Sequence, residues 1–376
     1  MTQQGALRRI LVLGSQARSL INFRGRLIAD LAALGHHVTA AAPGLSRTVA
    51  MPHGARGVDI DVPRQGMNPA EDLAFAARVR RLLRQERPDL LITSTVKPNI
   101  WGAFAARLEG VESIAMVTGL GYAFTPPANA SAKQRAASAA ATRLYRAATR
   151  FNSRVVFQNP DDADEFVRSG CLADPSKIVM TAGSGVDTHA FAPTALPAAP
   201  SVLMVSRLLG NKGVREYADA VRVVKQRRPH ARFRLAGGTD GGPDAIAPGE
   251  IETLSRAGVE HLGDLNDVRG AIAAANVCVL PSYREGTPRA VLEAMSMGRA
   301  IVTSDAPGCR ETVREGHNGY LVPVRDSRTL AERIERLVVD AETRGRMGAA
   351  SRDLALERFD VEQVNARLIN DLGLAA

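Results

Sequence analysis

The sequence predicts an α/β protein made of two Rossmann-like domains in tandem. Three observations carry this. Short apolar runs alternate with longer amphipathic segments along the whole chain, the pattern of β-α-β units. The alternation restarts after a proline-rich stretch at 191–200, which reads as a linker. The chain has 376 residues, more than one core ordinarily organises. The expected division is 1–190, the linker, 201–350, and a C-terminal helical stretch, 351–376, placed to pack back on the first domain.

Composition narrows the class. Apolar content of 45% and charged content of 23% suit a soluble globular protein. No apolar run approaches the roughly 20 residues that span a bilayer, and Met1 to Arg9 lacks the apolar centre of a signal peptide. The cysteines (Cys171, Cys278, Cys309) stand in unrelated contexts, which argues against a disulfide framework or a zinc site and fits a reducing cytoplasm. Net charge is +9, with 23 Lys/Arg against 15 Asp/Glu in residues 1–190 and 25 against 24 thereafter. A basic first half points to a phosphorylated ligand or an anionic membrane surface. Basic runs with few aromatics and no recognition motif argue against nucleic acid. An excess of surface arginine would produce the same balance.

The first half opens with a strand at Ile10-Leu11-Val12-Leu13, closed by Gly14-Ser15. A helix is expected from about Phe23 to Leu34, ended by Gly35, and then a strand at 36–41 whose paired histidines read as structural. This is a Rossmann-like opening whose glycine spacing does not match a dinucleotide fingerprint. Gly14 permits close backbone approach to an anion. Arg18, Asn22 and Arg24 fall near the carboxyl end of the strand, where open α/β sheets bind ligands. Helix 69–86 follows, apolar on one face and arginine-rich on the other. Strand 90–93 leads into Ser94-Thr95-Val96-Lys97-Pro98-Asn99, a polar strand-to-helix turn. Strand 114–117 ends in Thr118-Gly119-Leu120-Gly121-Tyr122. Residues 128–153 form an alanine-rich, basic segment without an acid, which suits either a solvated helix or one lying on an anionic membrane. Strand 155–157 precedes a helix capped by Gln158-Asn159-Pro160. Gly183-Ser184-Gly185-Val186-Asp187 is a glycine turn that closes the half.

In the second half a strand at 202–205 runs into Ser206-Arg207-Leu208-Leu209-Gly210-Asn211-Lys212-Gly213. A guanidinium and an ammonium beside glycines at a helix start suit a diphosphate. Strand 233–236 ends in a glycine turn. A short strand at 259–263 carries His261. Strands at 300–303 and 319–322 and helical stretches at 327–348 and 351–370 complete the order.

The most specific stretch is Ser282–Gly298. Val277–Leu280 is a buried strand stopped by Pro281. Gly286, Thr287 and Pro288 turn the chain into a helix, and Gly298 ends it. Glu285 stands in the loop and Glu293 in the helix. Acidic side chains here can accept hydrogen bonds from sugar and ribose hydroxyls, beside a helix start that attracts phosphate. Glutamates near a helix start also occur simply because they complement its dipole.

This string is similar to the E-x7-E signature of the retaining GT-B glycosyltransferases, and the order of elements resembles family 4 of that fold along nearly the whole chain. Asn22-Phe23-Arg24, Lys97-Pro98-Asn99-Ile100 and Thr118-Gly119-Leu120-Gly121 resemble a bacterial branch that adds sugars, often N-acetylated, to undecaprenyl-diphosphate-linked acceptors. The resemblance implies the GT-B fold, two Rossmann-like domains facing across a cleft. It implies a UDP-sugar donor, a polyprenyl-diphosphate-linked acceptor, and a place at the cytoplasmic face of an inner membrane. It implies Arg207, Lys212 and Glu285 as the residues of the reaction, with Gly14, Gly183, Ser184, His261, Gly286, Thr287 and Glu293 completing the donor site. Arg18, Asn22, Arg24, Lys97, Asn99 and Thr118 would meet the acceptor. Many members place a histidine at the donor sugar; here the corresponding turns hold Ser94, Thr95 and Thr118. No metal is expected, since Asp59-Ile60-Asp61 stands apart from every donor motif. A UDP-sugar 2-epimerase on this fold and a catalytically silent sugar-binding protein are the alternatives.

Overall fold

The computed structural model describes residues 6–48, 54–63, 68–120, 132–239 and 244–375. The chain forms two compact units, Met1–Ser184 with Val364–Ala376, and Gly185–Gln363. Each is built on a parallel sheet, as the β-α-β alternation requires. Gly121, Tyr122 and the first residues of the basic 128–153 segment lie outside the described residues.

In the first unit, strands β1 (Arg9–Leu13), β2 (His37–Ala42), β3 (Arg56–Asp59), β4 (Leu90–Ser94), β5 (Glu112–Val117), β6 (Arg154–Phe157) and β7 (Ile178–Met180) lie in the order β3-β2-β1-β4-β5-β6-β7. The chain therefore reverses its direction of travel between β1 and β4, which are paired with Leu13 opposite Thr93. Both faces are covered, and the strands alternate between them. Ile10, Val12, Ile92, Ile114 and Met116 pack against Leu20, Leu27, Ile28 and Leu31 of the helix Ala17–Ala33, and against Leu368, Ile369 and Leu374. Leu11, Leu13 and Leu91 pack on the other face under Phe75, Val79 and Leu83 of the helix Pro69–Glu86.

In the second unit, β8 (Ser201–Val205), β9 (Arg232–Ala236), β10 (Val259–His261), β11 (Val277–Leu280), β12 (Ala300–Ser304) and β13 (Gly319–Val322) lie in the order β10-β9-β8-β11-β12-β13. Here the reversal falls between β8 and β11, with Val279 opposite Met204.

Several expectations shift. The first helix begins at Ala17, six residues before Phe23, so Arg18, Asn22 and Arg24 are helical rather than in the loop. Its apolar stripe was hidden because a basic residue, Arg24, occupies a core-facing position of it. Strands β3 and β7 were not read from the sequence; both are short and only partly buried. The stretch at 327–348 is broken by Asp340, whose side chain caps a new helix, Ala341–Leu354, by accepting from the Thr343 amide.

The unit boundary lies at 184/185 rather than 190. Val186 exchanges backbone hydrogen bonds with Phe359 and Val361. The 191–200 stretch is not a free linker: Asn276 Nδ2 donates to the Pro197 carbonyl, Ser296 Oγ to that of Phe191, and the fully buried Arg299 to Thr194. Prolines there fix the path, and side chains of the second unit fasten it. Within 351–376, only Val364–Ala376 joins the first unit. The attachment includes His36, whose Nδ1 accepts from the Arg8 amide while Nε2 donates to the Leu374 carbonyl. Among the described residues no helix is long and apolar enough to cross a membrane.

Candidate active site

The reversal point of a parallel sheet leaves a crevice, because the two loops leaving the adjacent strands diverge to opposite faces. In the second unit those loops are 206–213 after β8 and 281–288 after β11, the two that hold the most specific motifs. The backbone locks them together. The Tyr283 amide donates to the Asn211 carbonyl at 2.9 Å. Ser282 Oγ donates to the same carbonyl at 3.2 Å. Gly213 has φ +74°, and a Cβ there would stand 2.2 Å from the Pro281 carbonyl oxygen, so only glycine allows this approach. Asp244 shapes the first loop by accepting the Asn211 amide at 2.7 Å.

Across this junction Lys212 Nζ donates to Glu285 Oε1 at 2.5 Å, with both side chains about one-seventh exposed, at 14% and 15%. Glu285 is held from behind: its amide donates to the Pro307 carbonyl at 3.0 Å. A Cβ on Gly308 (φ +75°) would meet the carbonyl oxygens of Glu285 and Gly286 at 2.3 Å. Gly286 is buried and Thr287 half-buried, immediately before the helix Arg289–Ser296. Pro288 is the residue just outside that helix rather than its first turn.

Glu293 lies in the helix, 8% exposed, and accepts from Arg289 Nε at 2.8 Å. Burial raises its pKa above the usual glutamate value, and the Arg289 guanidinium opposes that shift without cancelling it. Arg207 is exposed in the loop after β8. His261, at the end of β10, donates from Nε2 to the Gly237 carbonyl at 2.8 Å. Tyr283 Oη donates to Glu216 Oε1 at 2.6 Å; its pKa is pushed up to about 12, chiefly by burial and then by that carboxylate.

The first unit holds the remaining expected residues. Gly14 ends β1 and is buried; Gly183, with φ +72°, is buried, and Ser184 is half-buried. Arg18 and Asn22 are exposed on the first helix, and Thr118 is half-buried after β5. Two of the residues expected at the acceptor already have protein partners. Asn99 is 1% exposed and its amide is committed to the core: Oδ1 accepts from Thr93 Oγ1 at 2.8 Å, and Nδ2 donates to the Met116 carbonyl at 3.0 Å and Tyr145 Oη at 3.2 Å. Lys97 donates to Asp72 Oδ1 at 2.8 Å, which ties helix Val96–Glu109 to helix Pro69–Glu86. A polar residue at a strand-to-helix turn can serve either a ligand or the core, and the motif alone does not separate them.

Sequence reading missed Arg289, Asn211 and the backbone of Thr95. Arg289 was signalled by its i,i+4 spacing to Glu293. Asn211 Oδ1 is buried without a partner, and no local pattern announces that. Thr95 has φ +76°, ψ 163°, a region L-residues avoid.

Two family models match. Residues 22–184 match the glycosyl transferase 4-like domain, and residues 199–340 match the glycosyl transferases group 1. Among curated proteins, the chain is 28% identical over 306 residues to the N,N'-diacetylbacillosaminyl-diphospho-undecaprenol alpha-1,3-N-acetylgalactosaminyltransferase of Campylobacter jejuni, covering 77% of this chain and 78% of that protein. It is 26% identical to the UDP-Gal:alpha-D-GlcNAc-diphosphoundecaprenol alpha-1,3-galactosyltransferase of Escherichia coli, covering 72% and 71%. Among solved structures, Anabaena HepE in complex with UDP aligns with a TM-score of 0.73 at 20% identity, covering 97% of this chain and 99% of that one. Sucrose-phosphate synthase from Thermosynechococcus elongatus aligns at 0.78 and 21%, covering 98% and 100%. At that identity the structural likeness speaks to fold alone.

Proposed function

Because the chain belongs to the glycosyltransferases, with a 4-like domain at 22–184 and a group 1 domain at 199–340 in the GT-B fold, we propose that it is a retaining transferase. It moves an N-acetylated hexose from a UDP-sugar to a saccharide on a polyprenyl diphosphate. The observation that carries this is the junction of Lys212 and Glu285 at the reversal point of the second sheet, eight residues before Glu293. The relatives named above act on diphospho-undecaprenol-linked substrates, which supports the acceptor class.

In this reading the bond from the sugar's anomeric carbon to the β-phosphate breaks, and UDP leaves with the electron pair. The acceptor hydroxyl forms the new bond on the same face and passes its proton to the departing β-phosphate oxygen. Charge grows on the departing diphosphate. Lys212, Arg207 and the start of helix Arg289–Ser296 answer it, and such preorganised donors lower the barrier more than any group that must reorient. Glu285, already oriented by Lys212, takes the sugar hydroxyls, with the Gly286 and Thr287 amides beside it. Glu293 takes the ribose hydroxyls. The Lys212 ammonium has three N–H donors, so it meets the diphosphate while still holding the Glu285 carboxylate toward the sugar. No metal is required, and peripheral attachment to the cytoplasmic face of an anionic membrane brings the chain to its lipid-linked acceptor.

The test is direct. The purified chain is incubated with a panel of UDP-sugars and polyprenyl-diphosphate-linked saccharides, with and without EDTA, and the product linkage is read by NMR. Transfer with an axial new linkage and no loss in EDTA is expected. Release of the 2-epimer of UDP-N-acetylglucosamine without transfer, or binding without turnover across the panel, would overturn the reading.

A further inference from the structure

The helix that carries Glu293 starts against its own dipole. Its first residue is Arg289, its first turn holds no acid, and Pro288 before it supplies no side-chain cap. The positive end of a helix opposes a cation placed there. Arg289 pairs forward with Glu293, one turn on, and a cation N-terminal to its acid is the weaker order for helix stability. Local helix stability therefore does not account for an arginine at this position. Its side chain is 26% exposed, in a helix whose residues from Val291 to Ser296 are all buried.

Glu293 is the ionisable residue within that buried stretch, and it answers Arg289. Arg289 Nε donates to its Oε1 at 2.8 Å. Burial favours the neutral acid, and the guanidinium is the group that opposes burial. Two further titratable groups face this carboxyl. Asp267, from the stretch between β10 and the helix Arg269–Ala273, is a like charge and pushes the same way as burial. It is itself held by Arg269 at 2.7 Å. Cys278 of β11 is buried, and its thiol is pushed up to about 12, so it carries no charge at neutral pH. Among the described residues no second cation pairs with Glu293.

The protonation state decides what the carboxyl can offer. An ionised carboxylate only accepts, and its two oxygens can take two neighbouring hydroxyls; the neutral acid turns one oxygen into a donor. Hydrogen bonds to the charged form are also roughly twice as strong. A guanidinium fixed on Oε1 supplies the charge and sets the direction in which the carboxylate faces.

We infer that Arg289 is a positioning residue of the donor site: it holds Glu293 as an oriented anion and through it sets a preference for a ribonucleotide over a 2'-deoxyribonucleotide. This rests on the reading above that Glu293 takes the ribose hydroxyls. It adds that the preference belongs to the Arg289–Glu293 pair and not to the carboxyl group alone.

The experiment is calorimetric titration of the full chain with UDP and with 2'-deoxy-UDP from about pH 5 to about pH 8. The ratio of the two affinities is the quantity read, because titration of the diphosphate is common to both ligands and cancels. Wild type at neutral pH should bind UDP at least about tenfold more tightly, the size of one charge-assisted hydrogen bond. The ratio should fall toward one on the acid side as Glu293 protonates. In Arg289→Met that fall should move to higher pH, and the neutral-pH ratio should drop by about threefold or more. Arg289→Lys, which keeps the charge, should restore most of the ratio; no gain over Arg289→Met would overturn the charge-holding role. A ratio in Arg289→Met that matches wild type at every pH, while Glu293→Gln lowers it, overturns the inference and leaves the donor reading standing. An equal loss of both affinities, with the ratio and its pH course kept, would put Arg289 at the diphosphate and overturn the inference too. Should Arg289→Met not fold, Arg289→Gln carries the same test. A ratio that Glu293→Gln leaves untouched, or no UDP binding by wild type, sinks the donor reading and this inference with it.

Discussion

Lys212 Nζ lies 2.5 Å from Glu285 Oε1, joining two loops that are 73 residues apart in the chain. Each partner holds the other, and the proposed transfer gives each a role toward the donor.

Replacing Lys212 with Ala should therefore lower turnover by about 10²–10³-fold, the usual loss for one charge-stabilising donor. Glu285→Ala should act partly through Lys212, so the double variant should lose less than the product of the two single losses. Steady-state kinetics on the three variants reads this; strictly multiplicative losses would show the two residues acting independently.

Glu293 gives a pH signature. Burial raises its folded pKa, so folding favours its protonated form. The stability this contributes is present below the unfolded value, near 4.3, and is lost as pH rises through the folded value. Glu293→Gln removes that dependence. The difference in melting temperature, variant minus wild type, should become more positive between pH 4 and pH 7. A flat difference would mean that Arg289 fully compensates the burial. UDP affinity should fall in the same variant.

Asn99 should behave as a core residue. Asn99→Ala strands Tyr145 Oη and the Met116 carbonyl in the interior and should cost about 2–4 kcal/mol. The urea midpoint should fall, while the KM for acceptor of the remaining folded protein stays near wild type. A large KM change at unaltered stability would return Asn99 to the acceptor site.

Gly213 should not tolerate a side chain. Alanine there meets the Pro281 carbonyl and must hold φ +74°, so Gly213→Ala should lose at least about 2 kcal/mol. It should also push apart the loops that carry Lys212 and Glu285. Melting and turnover should fall together; wild-type turnover would show that the junction is not needed.

Leu368 is 2% exposed in the core of the first unit, far along the chain from that unit's other residues. Leu368→Ala should cost about 2–5 kcal/mol. Hydrogen exchange should rise in β1 and β4 before it rises in β8 and β11.

What the sequence determined by itself was most of the order of elements, the parallel α/β class, and, in the second unit, the two loops that carry Arg207, Lys212 and Glu285 and the helix that carries Glu293. These are local facts. Apolar period, glycine at turns, and proline at helix starts act over a few residues, so they can be read in line. What only the tertiary structure decided was which polar groups are committed and which are left over. Asn99 and Arg24 are both polar residues of helices that follow a strand, yet one amide is fully bonded and one guanidinium is buried with orphaned nitrogens. The placement of Val364–Ala376 in the first unit and the fastening of Thr194 by Arg299 belong with them. Each depends on which distant strands and helices become neighbours, and burial is set by all of them together, so no window of sequence contains it.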